Sequence, residues 1–153
     1  MNMSTISMSG KLSVIVMLFL LGGCASIVKA PAQFDEQAKQ FSSNPNYSQV
    51  YLYRNETLGA ALSMPVTVDG KLAGSTGANS FFKFNLPAGS HTFTSQENES
   101  VLNVPTENGK LYFIWQEVKM GMMSGGSKLQ LVSPAQGKKG VLECSLIDSA
   151  VGR

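Results

Sequence analysis

From Tyr47 onward the chain is a succession of short runs rich in β-branched and aromatic residues, each broken by Gly, Pro, Asn or Asp, and this pattern restricts it to an antiparallel β domain. The runs fall at Gln49–Arg54, Pro65–Asp69, Phe81–Leu86, His91–Gln96, Val101–Val104, Lys110–Met120 and Lys128–Ser133. In the third run Phe82, Phe84 and Leu86 alternate with Phe81, Lys83 and Asn85, which predicts one buried face and one that meets solvent. In the sixth, Leu111, Phe113 and Trp115 alternate with Tyr112, Ile114 and Gln116, and both sets are largely apolar. That strand is expected to run through the middle of a sheet, covered on both faces. Asp69-Gly70, Pro87-Ala88-Gly89 and Asn108-Gly109 supply the tight turns. About seven strands joined in this way predict a mainly β fold, a single antiparallel β-sandwich, with a partly open barrel as the other closure.

Two segments depart from the strand pattern. Ala25 to Asn46 is rich in Ala, Gln, Ser, Asn and Pro, with Phe34, Ala38 and Phe41 at helical spacing after Pro31. It reads as a tether holding one short helix, or as a flexible linker; so short a helix needs Phe34 and Phe41 to dock on the body. After Ser133, a cap residue, and Pro134, a first-turn residue, Val141, Leu142 and Leu146 predict a short C-terminal helix. Gly137 and Gly140 oppose it, each costing ~1 kcal/mol relative to alanine in a helix interior.

The N-terminus carries a different kind of signal. Lys11 precedes the apolar run Leu12–Leu21, which is followed by Gly22, Gly23 and Cys24. The run is shorter than the ~20 apolar residues a spanning helix requires. A basic residue, a short apolar segment and small residues before a cysteine are the features of a lipoprotein signal peptide cleaved between Gly23 and Cys24. The thiol of Cys24 would take a diacylglycerol, and the amine freed by cleavage a further acyl chain such as palmitate. At ~0.8 kcal/mol per buried methylene, one chain holds a protein reversibly, and two or three hold it stably. The predicted organisation is residues 1–23 as signal peptide, 24–46 as lipidated tether and 47–148 as the β domain. Ala25 is not an aspartate-type retention signal, so a two-membrane cell would place the anchor in the outer membrane, with the domain facing the periplasm.

Removing 23 residues from 153 leaves 130, one domain with a tether. Of the formal charge of +2, Lys11 accounts for one unit, and the remaining +1 is dispersed, which predicts no nucleic-acid partner. With Cys24 acylated, Cys144 has no partner within the chain and is expected to be a buried free thiol beside Val141, Leu142, Leu146 and Ile147, with an intermolecular disulfide as the alternative.

Pro65–Gly74 together with Phe82–Phe93 resembles small periplasmic domains of the PEGA and prealbumin-like kind. Gly109–Gly121 followed by Lys128–Val132 looks like an uncharacterised bacterial lipoprotein family known only as a domain of unknown function. The resemblance covers about Tyr47 to Leu146, is most specific at Trp115–Gly121, and implies a membrane-tethered antiparallel sandwich with no catalytic residues to carry over.

Groups that carry chemistry are few. His91 is the single histidine and sits at a predicted strand start beside a turn, where a capping or solvent-facing role is expected. Glu97 and Glu99 read as a solvated pair in a loop. Met120, Met122 and Met123 stand in a glycine-rich turn. Thioethers suit Cu(I), but no histidine stands nearby, so the turn reads as a hairpin tip that packs on the rim or meets a partner or the membrane. The sequence therefore predicts no catalytic residue, no metal and no cofactor. It predicts a lipid-anchored binding or structural module with an envelope protein as partner. The alternative is a small-ligand pocket between the sheets, lined by Tyr51, Phe93, Tyr112 or Trp115.

Overall fold

The computed structural model describes residues 27–96, 99–120 and 125–152. Strands β1 (Ser48–Arg54), β4 (Ser80–Leu86), β7 (Leu111–Met120), β8 (Gly125–Val132) and β9 (Ser145–Leu146) form one sheet in the order β8-β7-β1-β4-β9. Strands β2 (Met64–Val68), β3 (Lys71–Thr76), β5 (Gly89–Ser95) and β6 (Ser100–Thr106) form the other, in the order β3-β2-β5-β6. The two sheets pack as a sandwich, as the alternation of the sequence predicts. Two strands go beyond that prediction: β3, whose Ala73, Gly74, Ser75 and Thr76 carry little apolar period, and the two-residue β9. Pairing is mixed as well, since β7 lies parallel to β1 and β9 parallel to β4.

Asp69-Gly70 closes the β2–β3 hairpin as expected, both residues with positive φ (50° and 76°). Pro87-Ala88 and Asn108-Gly109, by contrast, close no hairpin. The first carries the chain from β4 to β5 and the second from β6 to β7, each passing from one sheet to the other.

The inner faces of the sheets enclose a core of Val50, Leu52, Val66, Phe82, Phe84, Phe93, Val104 and Ile114, all at most 0% exposed. A second core lies on the outer face of the five-stranded sheet, where Tyr51, Tyr53, Phe81 and Phe113 pack beneath the helices. The outer face of β4 is thus covered rather than solvated, and Lys83 and Asn85 are only half-exposed. Strand β7 is apolar on both faces because it serves both cores; β1 beside it is the middle strand.

Helix α1 (Ala32–Ala38) forms within the predicted tether, with Pro31 as its N-cap rather than its first residue. Phe41 docks against Tyr51 and Phe113 at ring-centroid distances of 5.4 and 5.9 Å, while Phe34 stays exposed. Helix α2 (Pro134–Leu142) starts as the sequence predicts, with the Ser133 hydroxyl accepting from the Gln136 amide. Its Val141 is buried but Leu142 faces out. The folded body also exceeds the predicted limits of 47 and 148: Ile27 and Val151 both pack against the inner core.

Candidate functional site

The strand registers give the sandwich two distinct ends. Arg54 pairs with Ser80, Met64 with Thr76, and Ser95 with Ser100, so these residues share one end with Met120 and Gly125. The described chain enters here: Ile27 packs so closely on Gly77 that a Cβ on that glycine would collide with it. Lys29 bridges to Ile147, and the Ala30 amide donates to the Leu146 carbonyl at 2.9 Å.

Buried polar groups organise this entry end. Arg54, fully buried, donates through its guanidinium to the carbonyls of Leu62, Leu58 and Gly59 at 2.8, 3.3 and 2.6 Å, which fixes the 55–63 loop. The loop is tied to the sheet again where the Val118 amide donates to Glu56 Oε2 at 2.8 Å. Between the sheets, the Thr76 hydroxyl donates to Gln116 Oε1, Gln116 Nε2 donates to Ser95 Oγ at 2.6 Å, and Ser95 and Ser127 share a hydrogen bond of 2.5 Å. Met120 ends β7 and is 59% exposed, whereas Met122 and Met123 lie outside the described residues, as do Gly23, Cys24 and Glu97.

His91 lies toward the opposite end. It is not solvent-facing, being 7% exposed, and it staples two turns together. Its Nδ1 stands 2.7 Å from Asp69 Oδ2 and its Nε2 2.8 Å from the Pro87 carbonyl. Both ring nitrogens thus face acceptors, which favours the doubly protonated ring. Burial pulls the histidine pKa down, but the bonds to Asp69 and Pro87 and the Asp69 charge outweigh it, and the net shift is upward. For Asp69 burial pushes up, while the bonds from His91 and the Thr92 amide bring the carboxyl below its ordinary range. With both nitrogens engaged, the ring has no position free for a substrate proton.

The four aromatics predicted to line one pocket are divided between the two cores. Phe93 and Tyr112 belong to the inner core, Tyr51 and Trp115 to the outer. The Tyr51 hydroxyl donates to the Ala38 carbonyl at 2.9 Å. The structure does have a cleft of about 440 Å³ on the outer face, between α1 and the segment after β9, with Phe34, Ala38, Lys83, Asn85 and Ile147 among its lining. Cys144 is buried and free, its thiol donating weakly toward the Gly140 and Arg54 carbonyls and its pKa pushed up to about 12, chiefly by burial. So placed, it is closed to an intermolecular disulfide in the native fold. Among the described residues no three of His, Cys, Asp and Glu group closely enough to hold a metal ion, and no helix is long and apolar enough to cross a membrane.

Residues 44–127 match the family model described as Protein of unknown function (DUF2846). The chain is 35% identical over 137 residues to an uncharacterized protein of Haemophilus influenzae, an alignment covering 88% of this chain and 82% of the relative. No solved structure matches. The matched segment opens just before β1 and reaches the start of β8, so it takes in the whole four-stranded sheet, β1, β4 and β7 of the other and the inner-face network, and the chain belongs to the DUF2846 family of proteins of unknown function.

Proposed function

We propose that the protein is a lipoprotein of the bacterial envelope, anchored through acyl chains on Cys24, whose prealbumin-like sandwich serves as a non-catalytic binding or structural module. The observation that carries this reading is the join between signal and fold. Leu12–Leu21, Gly22 and Gly23 end at Cys24, and Ile27, three positions later and the first described residue, already packs into the body. Signal and domain therefore meet with almost no chain to spare, as they would if cleavage produced the mature N-terminus at Cys24. The outer membrane, with the body on the periplasmic side, is the proposed location, and another envelope protein the proposed polypeptide partner.

The test is intact mass of protein extracted from its own membranes, with density-gradient fractionation of the same cells. A mature chain beginning at an acylated Cys24, and loss of membrane association in Cys24→Ser, are expected. A free Cys24 thiol, or a different first residue in protein that washes off in plain buffer, would overturn the proposal. Cross-linking of the acylated protein in intact cells then identifies the partner, and the recovery of no specific neighbour counts against a binding role.

A further inference from the structure

Resting on that reading, we infer that the entry end of the sandwich is a second membrane contact, seated on the lipid surface so that the body stands in one fixed orientation. The leash is short. Ile27 stands three positions after Cys24, which gives a reach of at most about 11 Å even when fully extended. Strand β1 alone, seven residues long, spans about 23 Å. An acyl group in the bilayer therefore holds the entry end against the headgroups, while the end bearing Asp69 and Pro87 stands a strand length away.

The composition of that end fits the contact. Of the eight large hydrophobic residues exposed among those described, five lie there: Val28 at 73%, Leu58 at 55%, Val101 at 55%, Met120 at 59% and Leu142 at 58%. The register decides their position. Val28 follows Ile27; Leu58 is in the loop gathered by Arg54; Val101 pairs with Thr94 next to the Ser95–Ser100 pair; Met120 closes β7. Leu142 ends α2, which is held at this end by the hydrogen bond from Asn55 Nδ2 to Glu143 Oε2 at 2.7 Å.

These side chains come from five separate segments, so no single element's amphipathicity explains their convergence. Each would shed apolar surface into the headgroup and acyl boundary, at about 25 cal/mol per Å² removed from water. The loop residues are also presented on rigid supports, since the Arg54 and Glu56 hydrogen bonds fix the backbone that carries Leu58. Methionine at the β7 tip suits a fluid surface because its side chain adapts to irregular packing.

The experiment uses acylated full-length protein in phosphatidylethanolamine and phosphatidylglycerol vesicles, with nitroxide labels on Leu58→Cys, Met120→Cys and, toward the far end, Leu72→Cys. Cys24 is blocked by its lipid and Cys144 by burial, so each variant carries one label, and all three positions are exposed. Collision with oxygen relative to a water-soluble nickel chelate should be about threefold higher at positions 58 and 120 than at 72, as for side chains within the apolar boundary. Equal ratios at the three positions, with the acyl mass on Cys24 verified in the same sample, would overturn the inference and leave the anchor standing. Native protein isolated from its own membranes with no acyl group on Cys24, and unable to sediment with the vesicles, would overturn both.

Discussion

Gly140 of α2 lies flat against the ring of Tyr53 on β1, so close that a Cβ at that position would come within 2.6 Å of the ring's Cζ. One turn earlier Gly137 stands against Phe113 in the same way, a Cβ there meeting Cδ1 at 2.6 Å. The two glycines that count against a helix on propensity are what let this helix touch the sheet.

The two arguments predict opposite signs for the same substitution. Propensity alone would have Gly140→Ala stabilise by about 1 kcal/mol. Contact predicts a loss of about 1 to 3 kcal/mol, because Tyr53 is buried and cannot swing away. Gly137→Ala should behave alike, since the ring it meets is also buried. Urea denaturation of the two variants beside the parent gives the sign directly, and stabilisation at both sites would mean the helix does not pack as described.

The same contrast shows what was legible in the sequence. Asp69-Gly70, the alternation of Phe82, Phe84 and Leu86, and the Ser133-Pro134 helix start are local signals, and all three are found where the local chemistry puts them. Strand β3 escaped because small residues at its centre give no period, and the parallel β1–β7 pair because it joins residues about sixty positions apart. His91 was legible as a polar residue at a turn but not as a staple, since Asp69 comes to it from a different hairpin. The convergence of Val28, Leu58, Val101, Met120 and Leu142 is further still from local pattern: it exists only once the register is known.

The staple makes stability depend on pH with a definite sign. A histidine whose folded pKa is raised contributes stability fully present below its unfolded value of about 6.5 and lost as pH rises through the folded value. Asp69, lowered in the fold, contributes above its ordinary value of 3.8 and loses that contribution as pH falls. The stability gap between the parent and His91→Gln should therefore be widest between about pH 4 and 6.5 and should narrow on the alkaline side. Thermal melts at a series of pH values test this. A gap that stays constant from pH 5 to 9 would mean the ring is not charged in the fold.

Cys144 should be chemically silent in the native protein. Its thiol is buried, and with the pKa pushed up to about 12 almost no thiolate exists at neutral pH. Iodoacetamide at pH 8 should leave residue 144 unmodified under native conditions and modify it within minutes in denaturant. Fast labelling of folded protein would show that the layer of α2 over Tyr53 opens freely.

Gln116 offers the sharpest test of the polar network between the sheets. It is fully buried, and its amide spans from Thr76 on one side to Ser95 on the other, so both of its functional atoms are used. Replacing it by an apolar residue of similar size takes one partner from each hydroxyl, leaving Ser95 its bond to Ser127 and Thr76 its 3.4 Å bond to the Met64 carbonyl. Gln116→Leu should cost about 1 to 2 kcal/mol, for two buried hydrogen bonds lost while each hydroxyl keeps another partner. Adding Thr76→Val, Ser95→Ala and Ser127→Ala, which removes the hydroxyls linked through the amide, should restore part of that loss. If the quadruple variant is as unstable as the sum of the single ones, then shape rather than hydrogen bonding accounts for the sensitivity of the site, and the network only fills space. If stability returns, the network owes its cost to satisfaction of polar groups, and the junction of the two sheets at the entry end is held by hydrogen bonding between them.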